Sequence, residues 1–77
     1  MTLSAEQRRA LRVLAKAGPR GLTEAMLMAH GFPVDLLASF ARDLLATATP
    51  ERVWAAWRRV EVTRYRITSR GRKAIEG

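Results

Sequence analysis

The period of apolar positions changes once along the chain, near Leu45. Before it, apolar residues recur at helical spacing; after it, they alternate. Ala10, Leu11, Leu14 and Ala17 share one helical face. Ser4-Ala5-Glu6-Gln7 reads as a capping box, in which the Ser4 hydroxyl accepts from the Gln7 amide and the Gln7 side chain reaches back. Gly18-Pro19 is a stop signal, so a first helix is predicted over Ser4–Ala17. Pro19, Arg20 and Gly21 read as a turn, and Thr23 as the N-cap of a second helix over Glu24–His30, closed by Gly31. Its apolar face is read as Ala25, Met26, Ala29 and Met28, with the methionines filling the core. Phe32 is expected inside, and Pro33 at the first position of a third helix over Val34–Leu44. Leu36, Leu37, Phe40, Ala41, Leu44 and Leu45 make its inner face. Val34, Asp35, Ala38, Ser39, Arg42 and Asp43 make its outer one. Helices two and three, joined by a tight glycine turn, form a helix-turn-helix arrangement.

Beyond Leu45 the alternation and the β-formers Val60, Val62, Tyr65 and Ile67 predict a hairpin. A turn at Ala55-Ala56-Trp57-Arg58 places Val53 opposite Val60, Arg52 opposite Glu61, Ala48 opposite Tyr65 and Ala46 opposite Ile67. Opposed residues share a face. One face then collects Ala46, Ala48, Tyr65 and Ile67, to lie on the helices. The other collects Thr47, Thr49, Arg64 and Arg66. A bulge at Pro50 would break this register. Thr68 caps a last short helix that turns Ala74 and Ile75 inward.

Composition adds the question of a partner. The chain has 77 residues, enough for one small domain, and 48% of them are hydrophobic. It has no cysteine, which excludes disulfides and thiolate zinc sites. No apolar run has membrane-span length, and MTLSAEQRRAL lacks the pattern of a signal peptide, so a cytoplasmic protein without a membrane partner is expected. The net charge is +7, of which residues 51–77 carry +5. A basic excess of this size points to a polyanion; arginine-rich codon usage is the plainer explanation.

The order helix, helix-turn-helix, hairpin, short helix resembles the winged helix-turn-helix domain, with Gly21-Leu22 as its stub strand. The closing YRITSRGRKAIE resembles the end of the wing in MarR-like and PadR-like bacterial regulators. There the last strand runs into Leu/Ile-Thr, two variable residues, a glycine and a basic helix, here Ile67, Thr68, Gly71 and Arg72. The resemblance implies a small α+β fold and transcription regulation through double-stranded DNA. Helix three would enter the major groove with Val34, Asp35, Ala38, Ser39 and Arg42. The wing would touch the backbone or minor groove with Arg52, Arg58 and Arg59. Two features depart from the pattern: helix three sets one arginine against Asp35 and Asp43, and these residues hold none of the extra helices through which such regulators dimerise.

From the residues themselves, Arg64 and Arg66 on the outer sheet face suit phosphate, or simply keep that face soluble. Arg42 and Ser39 can reach base edges. Asp35 can accept from a cytosine amine or cap its own helix. Trp54 and Trp57 near the hairpin tip, with Val53, Val60 and Val62, suggest an apolar patch through which the domain binds a protein or pairs with itself as a homodimer. The other reading folds one tryptophan back onto a helix. His30 is the one histidine, no base approaches Ser4, Ser39 or Ser69, and no phosphate-binding glycine loop is present. An enzyme, a cofactor, a metal and a small-molecule substrate are therefore not expected.

Overall fold

The computed structural model describes residues 2–76. Its first helix, α1 (Ala5–Lys16), begins where the sequence places a cap: the Ser4 hydroxyl accepts from the Gln7 amide, and the Gln7 side chain accepts from the Ser4 amide at 2.7 Å. A single 3-10 turn, Gly18–Arg20, leads to the short strand β1 (Leu22–Thr23). Thr23 caps α2 (Glu24–Ala29), and Pro33 precedes α3 (Val34–Arg42) as its N-cap residue, one position earlier than expected. The long strands β2 (Ala46–Ala55) and β3 (Arg58–Ile67) form a hairpin. Thr68 then caps α4 (Ser69–Ile75). The architecture is α+β: helices around a three-stranded antiparallel sheet of order β1-β3-β2.

The hairpin register is the expected one along its whole length, from Ala46 opposite Ile67 to Ala55 opposite Arg58. Pro50 lies within β2 opposite Thr63 and the pairing runs through it without a bulge. Only Ala56, the first of the two turn residues, has positive φ, 57°. That matches the backbone twist of a tight hairpin turn, in a position that glycine fills more cheaply. β1 pairs with β3 only through Leu22–Tyr65 and Thr23–Arg64. The other half of β3 and the outer side of β2 therefore face solvent.

Leu3, Ala10, Leu11, Leu14, Leu27, Phe32, Leu37, Phe40, Leu45, Ala46 and Tyr65 form the core, with Ile67, Ala74 and Ile75 packed against it. Three expectations fail. In α2 the inward residue is Leu27, while Ala25, Met26, Met28 and Ala29, the expected face, all stand exposed. A helix of six residues has no second turn to define an apolar face. Its orientation comes instead from its end, where the Phe32 amide donates to the Leu27 carbonyl and the Gly31 amide to Met28. This Schellman closure draws Phe32 and Leu27 together. α3 ends in the same way, with Leu45 donating to Phe40 and Leu44 to Ala41. Leu44 therefore takes the left-handed position, with φ of 62°, and turns outward at 66% exposure instead of joining the inner face. Ala48, expected on the helices, is exposed, because the helices cover only the base of the hairpin.

Thr68 fastens α4. Its hydroxyl donates to the Leu44 carbonyl at 2.6 Å and accepts from the Gly71 amide at 3.0 Å, while its own amide donates to Leu45. The expected strand-to-helix junction at Ile67, Thr68 and Gly71 is thus tied to the end of α3.

Candidate nucleic-acid interface

Strand geometry sets the reach of the hairpin. Ten residues per strand at about 3.3 Å each extend the tip about 30 Å from Ala46 and Ile67. The molecule is accordingly 45 Å long and 21 Å across. From Ala48 outward most of the hairpin is exposed. It carries five of the arginines read as candidate phosphate contacts, and its register sorts them onto two faces.

Residues adjacent in a strand point to opposite faces. Thr47, Thr49, Glu51 and Val53 therefore share a face with Val60, Val62, Arg64 and Arg66. Arg52 and Trp54 share the other with Arg59 and Glu61. This divides the expected apolar patch. Val53, Val60 and Val62 lie together, but Trp54 lies behind them, where the Arg59 guanidinium stands 5.6 Å from its ring centroid. That is cation–π distance. Neither tryptophan folds back onto a helix: Trp54 is 67% and Trp57 91% exposed.

Arg64 and Arg66 converge on one carboxylate. The Nε of Arg64 donates to Glu51 Oε1 at 2.9 Å, and an Nη of Arg66 to Oε2 at 3.3 Å. Arg64 also donates to the Arg20 carbonyl at 3.3 Å, so this network joins the approach to β1 with β3 and β2. Glu51 is the neighbour of these candidate residues that the sequence reading missed. The signal was available, because the register that opposes Arg52 and Glu61 also puts Glu51 on the face of both arginines. Among the described residues Arg52 and Glu61 make no ion pair.

The hydrogen bond from Arg64 holds the Glu51 carboxyl below the usual carboxylate range. Arg66 adds to this, and partial desolvation opposes it. A carboxylate whose pKa is depressed by folding stabilises the fold above its unfolded pKa, and that contribution disappears as pH falls through the folded value. Glu51→Gln is therefore expected to lower the urea midpoint at neutral pH. The gap between wild type and variant should narrow as pH falls below the ordinary carboxylate range. A gap independent of pH would show that the network contributes through shape rather than charge.

Arg52, Arg58 and Arg59 are different. They are exposed, and among the described residues none is in an ion pair. On α3, Val34, Asp35 and Arg42 are exposed, and Ala38 and Ser39 half-buried. The Ser39 hydroxyl donates back to the Leu36 carbonyl at 2.6 Å, leaving it only lone pairs to offer outward. Asp35 stands in the first turn of its helix, where a negative charge is favourable. The helix thus presents one cation between two acids, and the unpaired positive charge of the candidate residues is concentrated on the hairpin.

Among the described residues no three His, Asp or Glu side chains are grouped as a metal site, and no helix is long and apolar enough to cross a membrane. Comparison with known proteins finds no matching family model, no similar curated protein and no similar solved structure.

Proposed function

We propose that this chain is a small winged-helix DNA-binding protein, a transcriptional regulator or accessory factor that contacts duplex DNA through α3 and the basic hairpin. The observation that carries the reading is the projecting hairpin with Arg52, Arg58 and Arg59 exposed and, among the described residues, in no ion pair. The order of helices and strands, and a sheet whose third strand is the short β1, support the winged-helix assignment. Guanidinium groups on a projecting arm suit phosphates on either side of a groove, and such contacts supply affinity with little sequence information. Arg42 is the one cation on α3 placed to read a base edge. Arg64 and Arg66 serve first to hold Glu51, and reach phosphate only if that contact is given up.

The alternative is a protein-interaction or dimerisation module built on the tryptophans. Its support is the exposure of Trp54 and Trp57, and the division of the apolar residues between two faces weakens it.

Anisotropy titration of a labelled mixed-sequence duplex at several salt concentrations tests the proposal. Affinity should fall steeply with salt, and replacing both Arg58 and Arg59 by alanine should make the logarithmic salt slope shallower by about 1–2. Unchanged affinity in the double variant would remove the hairpin from the interface. Absence of binding by the wild type at low salt would favour the protein-interaction module.

A further inference from the structure

The least explained side chain in the molecule is Trp57. It occupies the second position of a two-residue turn and is 91% exposed. A hairpin turn has no need of an indole there; small polar residues and glycine serve it better. The core lies about 30 Å away along the strands, so it does not cover the ring.

The surroundings of Trp57 indicate which kind of partner would cover it. Arg58 and Arg59 follow it directly, and Arg52 lies on the adjoining strand; no acidic residue occurs from Arg52 to Val60. The Arg59 guanidinium is held against Trp54, which keeps that cation at the tip. A second copy of the tip would bring the same arginines against each other. A partner that offers negative charge together with flat aromatic faces matches both features, and nucleic acid offers both. In an intact duplex the base faces are hidden in the stack. They become available where the stack is interrupted or easily opened.

We infer, resting on the DNA-binding reading above, that Trp57 is a stacking wedge: it inserts against a base at an interrupted step while Arg52, Arg58 and Arg59 hold the flanking phosphates. The ligand class is duplex DNA with a bulge, mismatch or other local opening. Stacking of a base on an aromatic side chain is sequence-tolerant, so the preference is for shape of the stack and not for a particular base.

The test compares two labelled duplexes of one sequence, one intact and one with a single-nucleotide bulge at its centre, titrated at fixed salt. Wild type should bind the bulged duplex about 5- to 160-fold more tightly, the range that stacking of one base supports. Trp57→Ala should lose that preference while keeping its affinity for the intact duplex within about twofold, since its phosphate contacts remain. Replacing Arg58 and Arg59 by alanine should weaken both complexes alike. Equal binding of both duplexes by wild type, or an undiminished preference in Trp57→Ala, overturns the wedge and leaves the DNA-binding reading standing. Binding to neither duplex overturns both. A blue shift of tryptophan emission on anionic vesicles, without any preference between duplexes, overturns the wedge in favour of a lipid surface.

Discussion

Gly21→Ala is expected to remove a large share of the stability of the fold. Gly21 has φ of 66° and ψ of −156°, a combination that residues with a Cβ essentially avoid. A Cβ there would also fall inside the Tyr65 carbonyl oxygen and against its carbon. Tyr65 is buried and paired with Leu22, so the strand cannot retreat without opening the core. Backbone strain together with the collision should cost about 3–5 kcal/mol. A domain of this length has about 4–12 kcal/mol in total. Circular dichroism in urea would read the loss. Gly18→Ala is the control: φ is 76° there, but a Cβ meets nothing within 4 Å. It should cost only the left-handed conformation, about 1–2 kcal/mol. Equal midpoints for the two variants would show that conformation, not contact with Tyr65, decides the role of Gly21.

Gly71→Ala is the second large effect, and its sign is the informative part. Within a helix, glycine is ordinarily less stable than alanine by about 0.5–1 kcal/mol, so the replacement should help. Here a Cβ would collide with the Leu45 carbonyl oxygen and press Cγ1 of Ile67. Leu45 cannot yield easily, because its amide closes α3 and its carbonyl accepts from Thr68. The expected outcome is a loss of about 2–4 kcal/mol, with α4 lifted from its seat and Ala74 and Ile75 drawn from the core. Hydrogen exchange should show lost protection in Ser69–Ile75 before the rest of the chain. A variant more stable than wild type would sink this account.

Those two glycines also show what a sequence can and cannot disclose. Gly18-Pro19 and Ser4-Ala-Glu-Gln7 are local signals, and α1 has the predicted cap. The hairpin register was legible because alternation, turn position and the opposed Ala46–Ile67 and Ala48–Tyr65 pairs all required one pairing. The inward face of α2 was not legible: Met26, Leu27 and Met28 are all apolar, and the tertiary packing of Leu27 in the core chooses among them. Leu44 reads as an inner-face residue until the reversal at the end of α3 turns it outward. For the candidate site, the exposure of Trp57 and of Arg52, Arg58 and Arg59 follows from strand length. The separation of Trp54 from Val53, Val60 and Val62 was implicit in the same register and is hidden when tip residues are grouped by nearness in the chain. That Arg64 and Arg66 turn to Glu51 depends on side-chain reach across the strands.

Pro50 has a consequence for the behaviour of the protein in a crowded solution. β2 is ten residues long and open along one side. An open strand of that length is a template on which another chain can add itself, and repeated addition is how sheets grow into aggregates. Proline has no amide hydrogen, so an incoming strand finds no donor midway along β2, and its ladder is interrupted there. The exposed half of β3 presents Arg58, Arg59 and Glu61 to the same approach. Both features make the projecting arm a poorer seed for intermolecular sheet than an uninterrupted, uncharged edge would be.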